Sequence, residues 1–188
     1  MPDKNYIFGY GSLVSAKDVE RTLGHQPESL TETVVRGWVR DWSIILDNTS
    51  TIRRYETIPD RTVPRFVAIL NIHLPQEGED ATDPNGVLFP VTDDEMRKMD
   101  ERENHYQRVD ITDYVDNKPQ GRVYAYVGIE KYLETPALRK KSVLPGCYRE
   151  LVEKGFSSFG EESVAKFRLS TVASDIPEIA TVHTSNVP

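Results

Sequence analysis

Tyr6-Ile7-Phe8-Gly9-Tyr10-Gly11-Ser12-Leu13 is an apolar run, rich in aromatic and β-branched residues, that gives way at Gly11-Ser12. It reads as a buried strand breaking into a glycine-containing loop. A helix is expected next over residues 16–23, with Ser15 as N-cap, Asp18 as a carboxylate in its first turn and Gly24 as C-cap. A strand end that opens toward a helix leaves bare backbone N–H groups, and these can hold an anion or an oxyanion. The competing reading is a tight turn that only reverses the chain. Both nucleotide-binding readings fail: a dinucleotide fingerprint needs glycine where Val14 stands, and a P-loop needs a Gly-Lys-Ser/Thr that does not follow.

Outward from this segment, strands are expected at residues 33–39, 42–46, 65–74, 86–91, 106–115 and 122–127. Asp83-Pro84-Asn85-Gly86 and Asp116-Asn117-Lys118-Pro119-Gln120-Gly121 mark turns. The pattern predicts an α+β fold, a mostly antiparallel, barrel-like sheet with flanking helices. Residues 47–64, with Arg53, Arg54 and Arg61 among polar neighbours, read as a long loop that either covers a site or is simply solvated. Helices are expected over 145–155, with Tyr148, Leu151 and Val152 at helical spacing, and over 161–169, with Val164, Phe167 and Leu169 apolar. Residues 1–173 form one expected domain, and 174–188, without periodicity, a mobile tail.

The 188 residues carry a net charge of −7, which argues against nucleic-acid or anionic-membrane partners and leaves a small molecule or another protein as the expected partner. Cys147 is the only cysteine, so no intramolecular disulfide or cysteine-based zinc site is possible, and a reducing compartment fits. Met1 to Asn5 lacks the long apolar stretch of a leader, and no window approaches membrane-spanning length; a cytoplasmic protein is expected.

Thr92-Asp93-Asp94-Glu95 matches a capping box and opens another helix. At 3.6 residues per turn Met96, Met99 and Glu103 share one line along it, while Glu95, Lys98, Glu101 and Arg102 point elsewhere. Glu103 then lies on the apolar stripe, where desolvation raises a carboxylate's pKa toward the range a general acid/base needs. Asp100, about 60° around the helix, would add like-charge repulsion. If the helix stops before Glu103, the group is merely solvated. His25, His73, His105 and His183 show no metal-ligand spacing. Ser12 lacks the Gly-x-Ser-x-Gly elbow, and Cys147 reads as a small buried residue.

Taken together, Phe8-Gly9-Tyr10-Gly11-Ser12-Leu13, Asp100-Glu101-Arg102-Glu103 with Tyr106 beyond, and Pro145-Gly146-Cys147-Tyr148 resemble, in this order, three motifs of the γ-glutamyl cyclotransferase superfamily. Asn104 departs from the glycine that many relatives carry after the glutamate. The resemblance implies Glu103 as general acid/base and a substrate-binding set of Ile7, Phe8, Gly9, Tyr10, Gly11, Ser12, Leu13 and Tyr148, with Tyr10 and Tyr148 offering phenolic hydrogen bonds. It implies cleavage of a γ-glutamyl amide by its own α-amine, releasing 5-oxoproline and an amine or amino acid, with neither metal nor cofactor. The alternative is a non-catalytic protein that keeps the pocket to sense or hold a γ-glutamyl or pyroglutamyl ligand, or an interaction domain whose helix faces a partner.

Overall fold

Strand β1 (Lys4–Gly9) is the spine of the molecule because its apolar residues suit burial on both faces: Ile7 and Phe8 are both essentially inaccessible. The computed structural model describes residues 4–49 and 53–185. After β1 come a 3₁₀ turn (Ser12–Val14), α1 (Ala16–Leu23), β2 (Thr31–Val34), β3 (Val39–Asp47), β4 (Arg53–Thr57), β5 (Phe66–His73) and β6 (Asn85–Val91). The chain continues through α2 (Asp93–Arg102), β7 (Tyr106–Asp110), β8 (Gly121–Gly128), α3 (Pro136–Arg139) and β9 (Ser142–Pro145). It then forms α4 (Gly146–Ser157), α5 (Glu161–Leu169), β10 (Glu178–Ile179) and β11 (Thr181–Ser185).

The strands assemble as a five-stranded sheet ordered β2-β6-β1-β8-β7, a four-stranded sheet ordered β10-β9-β5-β3, and a β4–β11 ribbon. Within the first sheet β1 runs antiparallel to β6 and parallel to β8. The remaining parallel pairs, β5–β9 and β9–β10, lie in the second sheet, so most ladders are antiparallel, as expected. The expected α+β, mostly antiparallel, barrel-like arrangement is present, and among the described residues the sheets do not close into a full barrel. Where β8 and β7 meet β5, side chains replace the ladder: Gly128 N–H donates to Asn71 Oδ1 at 2.8 Å, and the Tyr106 hydroxyl donates to the Leu70 carbonyl at 2.8 Å.

Several local expectations shift for identifiable reasons. Gly37, at φ 75°, turns the chain between β2 and β3, and β3 then runs through Arg40-Asp41 with an irregularity before Ile44. Arg40 can sit inside a strand, fully buried, because its guanidinium is saturated. It donates to the Asn85 carbonyl (2.6 Å), Asn85 Oδ1 (3.0 Å), the Phe167 carbonyl (3.1 Å), Ser170 Oγ (2.8 Å) and Thr171 Oγ1 (2.8 Å). It also lies over the Phe167 ring, 4.5 Å from the centroid. β7 ends at Asp110, whose carboxylate accepts from the Thr112 N–H (3.0 Å) and starts a 3₁₀ turn. Leu169, expected on the inward face of α5, is 87 % exposed.

The segment read as a tail carries β10 and β11 instead. β11 pairs antiparallel with β4 over Thr181↔Thr57 to Ser185↔Arg53, so the expected loop at 47–64 contributes a strand as well. Neither strand announces itself by apolar alternation, since the ribbon rests on backbone hydrogen bonds, on the Thr184–Glu56 and Tyr55–His183 contacts and on the buried Asn48. Asn48 Nδ2 donates to the Tyr55 and Pro64 carbonyls (2.9 and 2.8 Å), while Asn48 Oδ1 accepts from the Tyr55 N–H (2.9 Å). Residues 50–52 of that loop and 186–188 of the expected tail lie outside the described residues.

Candidate active site

The loop after β1 takes its shape from its caps. Val14 N–H donates to the Gly11 carbonyl (3.0 Å), closing the 3₁₀ turn, and Ser15 Oγ accepts from Asp18 N–H (3.4 Å), starting α1; Gly24, at φ 89°, ends that helix. Position 11 is tight for a different reason: a Cβ there would lie 2.9 Å from the Tyr148 hydroxyl oxygen, so any larger residue would push that ring aside. The loop and Tyr148, at the start of α4, are thus in van der Waals contact across more than half the chain.

Opposite them, α2 opens on the expected capping box, with Thr92 and Glu95 satisfying each other's backbone N–H groups. The helix stops at Arg102, and Glu103 is its C-cap at φ −91°, ψ 40°. Its N–H still bonds to the Met99 carbonyl (2.9 Å), which keeps it in register behind the buried Met96 and Met99. The Glu103 side chain is 15 % exposed.

These elements enclose a cavity of about 190 Å³. That is below the roughly 300–1,000 Å³ of sites for drug-sized ligands and suits a molecule of amino-acid size. Phe8, Gly9, Tyr10, Gly11, Ser12, Leu13, Glu103 and Tyr148 all line it. Ile7 does not: the period-two alternation of β1 places it on the face opposite Phe8, fully buried.

Three expectations about the polar groups need correction. Glu103 is not a lone carboxylate on an apolar stripe, because the Arg102 guanidinium forms an ion pair with it. Arg102, expected on another face, lines the cavity, and its second terminal nitrogen donates to Ser12 Oγ at 3.0 Å. It is the last residue of α2, and its long side chain reaches back to the cavity wall. Asp100 does not act as a repelling neighbour. It accepts from the Tyr126 hydroxyl (2.9 Å) and pairs with Arg108 (2.8 Å).

The cavity walls are phenolic. Burial pushes the Tyr148 hydroxyl up to about 12 and those of Tyr10 and Tyr106 well above their ordinary value, so all three are neutral donors at physiological pH. Tyr10 cannot offer its proton to a ligand, however, because it donates to the Tyr126 carbonyl at 2.6 Å. Tyr106 is likewise committed to Leu70. His105, held below its ordinary value by burial, also lines the cavity and meets Tyr132 edge-on at 4.6 Å. Tyr55, delivered from β4, completes a wall together with Ile69 and Leu70. Arg102, Tyr55, His105 and Tyr126 carry no sequence signal for this site, because each reaches it through tertiary packing.

Of the other reactive groups, Cys147 is half-buried at the start of α4, accepts from the Thr181 hydroxyl (3.2 Å) and has its thiol pushed up by burial. Among the described residues no three His, Cys, Asp or Glu side chains gather to hold a metal, and no helix is long and apolar enough to cross a membrane.

The arrangement of sheets and helices is the fold of γ-glutamyl cyclotransferase structures. A structure of a γ-glutamyl cyclotransferase superposes with a TM-score of 0.57 at 12 % identity, covering 92 % of this chain and 90 % of the other. YkqA from Bacillus subtilis gives 0.59 at 14 % identity over 93 % of this chain, which spans only 56 % of that protein. A yeast γ-glutamyl cyclotransferase specific to glutathione gives 0.51 at 13 % identity, covering 88 % and 97 %. At such identities the likeness is one of fold. No protein-family model and no curated protein matches the sequence.

Proposed function

We propose that the chain is a γ-glutamyl cyclotransferase, converting a γ-glutamyl amide into 5-oxoproline and a free amine. The observation that carries this reading is the convergence of the Glu103 carboxylate, the Gly11-Ser12 backbone and the Tyr148 hydroxyl on one small cavity. The reaction is intramolecular, so its demands are few: fold the flexible glutamyl chain onto itself, deprotonate the α-ammonium, stabilise the oxyanion and protonate the leaving nitrogen.

The residues present can meet each demand. The ion pair with Arg102 requires an ionised Glu103, the form that accepts a proton from the α-ammonium. The freed amine attacks the γ-carbonyl carbon, and the carbonyl electron pair moves onto oxygen, within reach of the loop's N–H groups or the neutral Tyr148 phenol. Collapse of the intermediate expels the leaving nitrogen. One of the three ammonium protons stays on the lactam nitrogen and two end on the departing amine, so Glu103 relays protons from one nitrogen to the other. The wall of Phe8, Leu13, Ile69 and Leu70 supplies an apolar surface against which the glutamyl methylenes can curl.

The test is incubation with a panel of γ-glutamyl compounds, including glutathione, γ-glutamyl dipeptides and γ-glutamyl amines, while following 5-oxoproline release. Turnover of any of them supports the enzyme. Tight binding without turnover across the panel supports a γ-glutamyl or pyroglutamyl binder and sinks the catalytic reading.

A further inference from the structure

Arg102 and Glu103 are consecutive residues whose charged ends form an ion pair in the cavity wall, one cationic and one anionic, side by side. An α-amino acid head group carries the same two charges on one carbon. Laid against the pair in the opposite sense, its ammonium meets Glu103 and its carboxylate meets Arg102. The charge patterns are complementary without either protein side chain leaving the wall.

Two further observations direct the Arg102 head group at a ligand. Its charge acts on the buried phenols of both Tyr106 and Tyr148, which line the same cavity, so the guanidinium is felt across the site. It also donates to Ser12 Oγ (3.0 Å). A hydroxyl that accepts from arginine keeps its own proton to donate, and Ser12 lines the same cavity as Arg102. Guanidinium and hydroxyl together make the two-point donor set that suits a carboxylate.

We propose that Arg102, assisted by the Ser12 hydroxyl, is the subsite for the α-carboxylate of the substrate and of the lactam product. This deepens the proposed cyclotransferase reading and rests on it for the identity of the ligand. With the carboxylate at Arg102, the α-ammonium is delivered to Glu103, and the Gly11-Ser12 backbone is left for the γ-carbonyl oxygen.

Two lactams that differ only by the carboxylate test the assignment: 5-oxoproline and 2-pyrrolidinone, titrated by calorimetry into the wild-type chain, Arg102→Gln and Arg102→Lys. In the wild type the carboxylate should improve affinity by roughly 10- to 100-fold, the range of a charge-assisted hydrogen-bond set. Arg102→Gln should shrink that ratio to about twofold by lowering affinity for 5-oxoproline while leaving 2-pyrrolidinone unchanged, and Arg102→Lys should retain an intermediate ratio. A full ratio in Arg102→Gln, or in Arg102→Lys if the glutamine variant does not fold, overturns the subsite. The turnover panel separates this outcome from failure of the parent reading. Wild-type turnover without carboxylate preference removes the subsite alone. An Arg102-dependent preference without turnover keeps the subsite and removes the enzyme. Neither preference nor turnover removes both.

Discussion

Two arginines of the molecule, Arg40 and Arg102, are built in opposite ways. Arg40 is fully buried and is held by carbonyl, amide and hydroxyl oxygens and aromatic faces, every one of them neutral. Burial accordingly depresses its pKa to about 9, far below an ordinary arginine. Arg102 keeps 20 % of its side chain exposed, sits against a carboxylate and faces a cavity. A cation surrounded by fixed dipoles holds a fold together. One paired with a carboxylate at a cavity wall can also meet a ligand. The difference separates architecture from chemistry within one residue type.

On the cavity side the largest expected effect is that of Glu103→Gln, which keeps shape while removing the proton relay. Turnover should fall by roughly 10²–10⁴-fold with the fold intact, measured by 5-oxoproline release and by circular dichroism; full activity would end the relay role. On the architectural side Arg40→Met should cost on the order of 3 kcal/mol or more, because it orphans several buried acceptors at once. Chemical denaturation measures this, and a loss below about 1 kcal/mol would mean that Arg40 is dispensable to the core.

The buried phenols give the comparison a pH axis. Tyr148 ionises near 10 when unfolded and is held to about 12 in the fold. Below pH 10 the buried neutral phenol contributes its full stability, and this is lost as pH rises from 10 to 12, because the unfolded chain releases the proton first. Phenolate absorbance should appear together with unfolding, and Tyr148→Phe should flatten the fall in stability over that window. The same variant should weaken substrate binding by roughly 0.5–1.5 kcal/mol, one hydrogen bond's worth; unchanged kinetics would reduce Tyr148 to packing. The smallest effect is expected for Glu101→Gln, on the solvent-facing side of α2, where turnover should be nearly unchanged. A loss equal to that of Glu103→Gln would contradict the facing assignment.

The parts of this arrangement that were legible in the sequence are those written in local chemistry. Ser15, Gly24 and the Thr92/Glu95 box place two helices because capping acts within a few residues, and the β1 run identifies its own burial. Glu103 emerged from periodicity even though the helix stops just short of it, because one i→i−4 bond carries the register onward. Arg102 was assigned outward by the same periodicity. A flexible side chain at a helix end follows the nearest partner, and here Ser12, far away in sequence, supplies one. Tyr55 and the β4–β11 ribbon were illegible for a related reason: their order depends on Asn48 and on pairing across well over a hundred residues.

The Arg40 network also makes the fold hard to assemble halfway. Its acceptors come from Asn85 in β6 and from the end of α5 at Phe167, Ser170 and Thr171, so one side chain ties β3 to two distant stretches at once. A product cut before residue 167 would leave a cation in an apolar interior with most of its ligands missing. Such a fragment has little reason to persist as a near-native particle. It would instead stay open and accessible to proteolysis, so the integrity of the chain end is written into the core.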